Sequence, residues 1–113
     1  MEEPEEQETF TFVEETAIFP GVEAALLKFI AENTIYPPEA IENNIQGKVF
    51  VKFAVSADGS IKRIEILRGV HPLLDKEAIR VVSTLPKWIP GKQNGRPVAS
   101  WFNIPVDFQV KFY

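Results

Sequence analysis

One change of rhythm constrains this chain most. In Val49-Phe50-Val51-Lys52-Phe53-Ala54-Val55, residues Val49, Val51, Phe53 and Val55 recur at every second position, so they share one face of a strand. Ser56-Ala57-Asp58-Gly59-Ser60 follows, with Asp-Gly at its centre, a strong hairpin signal because the turn wants the positive φ that glycine adopts freely. Ile61 to Leu67 returns as the second strand. Arg63 and Glu65 fall on one of its faces and Ile64 and Ile66 on the other.

On either side of this hairpin the period is near 3.6. Phe19-Pro20-Gly21 is a turn, and Val22, Ala25, Leu26, Phe29 and Ile30 then form one apolar stripe of a helix from about Val22 to Glu32. Tyr36-Pro37-Pro38 ends it, because a residue before proline is pushed out of helical geometry. Pro38 to Asn43 reads as one short helical turn. After Gly69 to Pro72, a second helix runs from Leu73 or Leu74 to Thr84. It buries Leu74, Ala78, Val81, Val82 and Leu85, and Pro86 stops it. Lys87 to Pro97 reads as a loop, and a long final strand spans Val98 to Phe112. Pro105 cannot donate to a ladder, so this strand belongs at an edge or is bulged there. The expected fold is α+β: a three-stranded antiparallel sheet with two helices packed on one face.

The length of 113 residues suits one domain. Residues 1–15 read as an acidic linker end with a short strand at Thr9 to Val13, and 16–113 as the domain. Seven of the sixteen acidic residues lie in positions 1–15, leaving nine against twelve bases in the remainder. Those bases are spread along the elements, with no dense patch to track a nucleic-acid backbone, so no nucleic-acid partner is expected. Cysteine is absent, which excludes disulfides and thiolate metal sites. The start, Met1-Glu2-Glu3-Pro4, is not a signal peptide, and no apolar run reaches membrane-spanning length.

Catalytic chemistry is hard to assemble from what remains. His71 is the single histidine and reads as a turn residue before Pro72. Asp58 suits the hairpin turn, and Asp75 and Glu77 read as helix-dipole partners on a solvated face. The serines lack an elbow motif, and Gly91 and Gly95 fit no phosphate-binding fingerprint. No catalytic residue, metal or cofactor is expected. An enzyme would instead show a buried cleft with two or more carboxylates of shifted pKa.

From Tyr36 onward an ordered set of motifs resembles the TonB C-terminal domain family. It comprises Tyr36-Pro37, Ala40, Ile45, Gly47 and Val49, then Val51, Phe53 and Val55 leading to Asp58-Gly59. Leu74-Asp75 with Ala78, then Trp88, Pro90-Gly91 and Gly95, and finally Pro105-Val106 with Phe108 complete it. The preceding Phe19-Pro20-Gly21 and first helix resemble the Bacteroidetes-type version. The resemblance implies a non-enzymatic periplasmic domain of an inner-membrane-anchored energy transducer. Its partner would be the TonB box, a short extended peptide of an outer-membrane transporter, bound by strand addition at a sheet edge. Inner-membrane, proton-driven motor proteins would be reached through an N-terminal part not in this sequence.

Pro105 and the length of the last strand point to that strand as the edge, through Ala99, Ser100, Trp101, Phe102 and Asn103. Trp101 and Phe102 are either peptide anchors or core packing. Asn33, Thr34, Ile35, Tyr36 and Pro37 align with the family's receptor-touching stretch, although Asn33-Thr34-Ile35 replaces the Gln-Pro-Gln-type sequence of well-known members. Three other readings stand beside this one. The domain could be a TolA-like or signalling-protein-fused adaptor with another partner, its edge could pair with a second copy, or Thr9 to Val13 could cap that edge.

Overall fold

The computed structural model of the chain describes residues 9–110. The acidic segment 1–8 and the end of the expected last strand, through Phe112, lie outside them. In chain order the elements are α1 (Val22–Asn33), α2 (Pro38–Glu42), β1 (Gly47–Val55), β2 (Ile61–Arg68), α3 (Pro72–Ser83), β3 (Gly91–Gln93), β4 (Arg96–Val98) and β5 (Ser100–Phe108). One sheet has the order β2-β1-β5, all antiparallel, and β3 and β4 form a separate hairpin.

The main sheet owes its two faces to alternation. Val49, Val51, Phe53 and Val55 of β1 are fully buried, and Ile104, Val106 and Phe108 of β5 join them on the same face. β1 and β5 pair without interruption from Gly47↔Phe108 to Val55↔Ser100. Helix α3 covers this face with Leu74, Ala78, Val81 and Val82, all fully buried. Helix α1 adds Leu26 and Ile30. Each of the valine, leucine, isoleucine and phenylalanine side chains contributes on the order of 1.5–3 kcal/mol by leaving water.

Strand β2 departs from the expected alternation. Lys52 pairs with Glu65 and Ala54 with Lys62, so Phe53 faces two residues, Arg63 and Ile64, across a β-bulge. Arg63 takes the bulge with a φ of 54°. The extra residue brings both Ile61 and Ile64 against the core, three positions apart. A second register shift lies between the Phe50 and Val51 pairs.

Two caps fix α3. The His71 ring nitrogen Nδ1 accepts from the Leu73 N–H at 3.1 Å, so this histidine is an N-cap and not merely a turn residue. Asp75 Oδ1 accepts from the Val70 N–H at 3.0 Å. Glu77 corrects the expectation of a solvated face: it is buried. Its carboxylate accepts from the Ile35 N–H at 2.6 Å and from Arg80 at 2.7 and 2.8 Å, and Arg80 also donates to the Asn33 carbonyl at 2.8 Å. This clasp ties α3 to the end of α1.

The expected loop Lys87 to Pro97 contains the β3–β4 hairpin. Its turn is Asn94-Gly95, both with positive φ (54° and 74°). Asn-Gly is a leading type I′ signal, and it closes this hairpin where the sequence reading expects only a loop. The expected strand at Thr9 to Val13 reduces to isolated bridges along an extended segment. Phe10 bridges Ser100 in parallel, Glu15 bridges Lys92 and Ile18 bridges Ile89. Phe12 is 87% exposed, which is why no strand face develops there.

Candidate functional site

The Asp58-Gly59 turn shows why that motif is structural. The Asp58 carboxylate accepts from the Ser56 hydroxyl at 2.6 Å, and from the hydroxyl and N–H of Ser60 at 2.6 and 3.0 Å. Those donors hold its pKa well below the usual carboxylate range, the Ser56 bond most, so it stays ionised and cannot shuttle a proton near neutrality. Among the described residues, no group of three or more His, Cys, Asp or Glu could hold a metal ion.

Attention therefore moves to the edges of the sheet. Among the described residues, β5 has β1 on one side and no strand along the other. At its start the outer side is occupied. The Phe10 N–H donates to the Ala99 carbonyl and the Trp101 N–H donates to the Phe10 carbonyl, both at 2.9 Å. Since successive backbone groups of a strand alternate sides, the Trp101 bond sets the parity: Asn103, Pro105 and Asp107 also point away from β1. Among the described residues, the N–H groups of Asn103 and Asp107 have no backbone partner on that side. Pro105 falls at one of these outward positions, where its missing N–H breaks no ladder bond, the edge placement expected of it.

An apolar groove of about 430 Å³ runs beside this open stretch. Phe102 and Ile104 of β5 and Trp88 line one side. Leu26, Leu27 and Ile30 of α1 line the other, and Ala17 to Phe19 close one end. Trp88 is held by rings: Phe102, Phe19 and Phe53 stand at 4.8, 5.6 and 5.6 Å, each edge-on. Its indole N–H is buried without a hydrogen-bond partner among the described residues. Leu27 is 54% exposed at the groove's lip.

The residues expected to touch a partner divide around this groove. Phe102 packs inward on Phe53 and Trp88, whereas Trp101 lies on the opposite, uncovered sheet face. There Lys52 Nζ is 4.3 Å and the Arg63 guanidinium 5.7 Å from the Trp101 ring centre. Ser100 is buried, Ala99 and Trp101 already serve Phe10 through their backbones, and Asn103 is exposed. The free stretch thus starts at Asn103 and extends to Asp107, further along than Ala99 to Asn103. Asn33 to Pro37 continues from the end of α1. Ile35 is 64% exposed, and Tyr36 packs edge-on against Phe108 at 5.4 Å while its hydroxyl donates to the Ile45 carbonyl. Burial raises the Tyr36 pKa, so this hydroxyl stays protonated as a donor. Sequence reasoning missed Leu26, Leu27, Ile30 and Trp88 as groove residues. The one available signal was Leu27, an aliphatic residue outside the helix's apolar stripe.

Comparison with known proteins agrees with this fold. Two solution structures of the Helicobacter pylori TonB C-terminal domain share the fold. The one of residues 179–285 has 24% identity and a TM-score of 0.60, covering 83% of this chain and 89% of that one. The one of residues 194–285 has 22% identity and a TM-score of 0.58, covering 80% and 95%. No curated protein sequence matches. The profile of the family described as Gram-negative bacterial TonB protein C-terminal matches residues 32–110, most of the chain. The protein therefore belongs to the TonB C-terminal domain family.

Proposed function

We propose that this domain binds the TonB box of an outer-membrane transporter by strand addition to the open edge of β5. It then passes on force derived from the proton motive force for nutrient uptake. The family is one of non-enzymatic protein-interaction domains, and its members are periplasmic parts of inner-membrane-anchored proteins. The observation that carries the proposal is the run of outward backbone groups from Asn103 to Asp107, which have no partner strand among the described residues. An extended peptide laid there gains hydrogen bonds of about 1 kcal/mol each. After the cost of ordering the peptide, an affinity on the order of micromolar results, suited to a partner that is released and re-engaged.

Phe10 supports a second reading, a partly self-capped edge, because it already fills the first rung of β5. The test is an NMR titration with a peptide from the plug terminus of a transporter of the same organism. Strand addition shifts the Asn103 and Asp107 amides most. Shifts confined elsewhere, or absent at millimolar peptide, would sink the proposal for that partner and favour an adaptor serving another one.

A further inference from the structure

Resting on strand addition at β5, we propose that the groove under α1 reads side chains of the added strand. The favoured partner is then an extended peptide alternating large aliphatic with small polar residues. A strand laid against β5 continues its pleat, so every second side chain falls on the face that carries Phe102 and Ile104. That face is where the groove lies, roofed by Leu26, Leu27 and Ile30. The intervening side chains fall beside Asn103, Pro105 and Asp107, all exposed. Helix α1 therefore overhangs the place of an absent fourth strand. It offers apolar cover there that the domain itself leaves unfilled: Leu27 and Ile18 stand 54% and 44% exposed at the lip. Glu23 is the single charged residue in the lining, which disfavours an acidic side chain in the groove.

The roof is not part of what identifies the family. The family match begins at residue 32, whereas α1 begins at Val22. Backbone pairing at β5 alone accepts almost any sequence, because each residue offers the same N–H and C=O. Selectivity among extended peptides has to come from side-chain pockets, and this groove is the pocket adjoining the open rungs.

The test uses two blocked synthetic peptides, Lys-Thr-Leu-Thr-Leu-Thr-Leu-Lys and its twin with serine for each leucine. Both are titrated into the wild-type domain and into Leu27→Glu, a half-exposed position where the fold tolerates a charge. The leucine peptide is expected to shift the Asn103 and Asp107 amides and to bind about tenfold or more tightly than the serine peptide. Leu27→Glu should remove that preference, bringing the two peptides to within about twofold of each other. Equal binding of both peptides at β5, indifferent to Leu27→Glu, would overturn the groove reading and leave strand addition standing. No shift at β5 with either peptide would overturn both. A dimer of the free domain that Leu27→Glu dissolves would give the groove to a second copy and overturn the peptide as its occupant.

Discussion

At Gly59 two demands meet in one residue. Its φ is 89°, and a Cβ built there would stand 2.2 Å from the Trp88 carbonyl oxygen. The turn is pressed onto the Trp88 backbone, whose N–H donates to the Gly59 carbonyl at 2.8 Å. Gly59→Ala is expected to cost about 2 kcal/mol or more in denaturant unfolding, from left-handed strain plus the clash. Trp88 gives a contrasting pair. Its indole N–H has no acceptor among the described residues, so Trp88→Phe loses no hydrogen bond there and should cost under about 1.5 kcal/mol beyond the small void. Trp88→Ala empties the space between Phe19, Phe53 and Phe102 and should cost about 3–5 kcal/mol in the same measurement. Near-equal losses would show that the N–H, and not the ring volume, holds this part of the core. Trp88 was legible in the sequence as a packing residue. Its place on the wall of a groove was not, because the opposite wall comes from a helix some sixty positions earlier.

The elements are joined by a few polar contacts that periodicity could not reveal. The hydrogen bonds from Arg80 lower the Glu77 pKa first, the Ile35 N–H adds to this, and burial opposes both. A carboxylate with a depressed folded pKa contributes stability above its unfolded pKa of about 4.3, and that contribution is lost as pH falls through the folded value. Glu77→Gln should therefore be less stable than wild type at pH 7. The two should converge as the pH of the unfolding experiment is lowered below about 4. A gap that stays constant with pH would mean the glutamate acts through shape alone. Sequence placed Glu77 on a solvated helix face, because nothing local records that the backbone of Ile35 arrives beside it. The bulge at Arg63 is of the same kind: alternation assigns faces correctly only until one strand inserts a residue.

Across the whole molecule, the edge of β5 is contested by the chain's own beginning. Phe10 takes the rung at Ala99 and Trp101, and Arg63 reaches from β2 to donate to the Thr9 hydroxyl at 2.9 Å. Phe10→Pro removes the N–H that donates to Ala99 and should free this rung. In the transporter-peptide titration, perturbation should then spread from Asn103 back to Trp101, with affinity rising a few-fold. An unchanged footprint would show that Phe10 does not compete for the edge.

What the sequence determined by itself was local. It carried the two apolar helix stripes, the β1–β2 hairpin around Asp58-Gly59, the edge character of the strand containing Pro105, and the motif order that belongs to the family. Each rests on spacing within one element or on the backbone preference of one residue type, and both are properties of neighbouring positions. Only the tertiary structure decided which rungs of that edge are open, that α1 overhangs them, and that Phe102 and Trp101 part to opposite faces. Those facts depend on how far one element reaches past another, and on which distant backbone arrives first at an unpaired group. Residues 10, 27, 88 and 103 meet around one strand edge because of the packing, and no spacing along the chain encodes that distance.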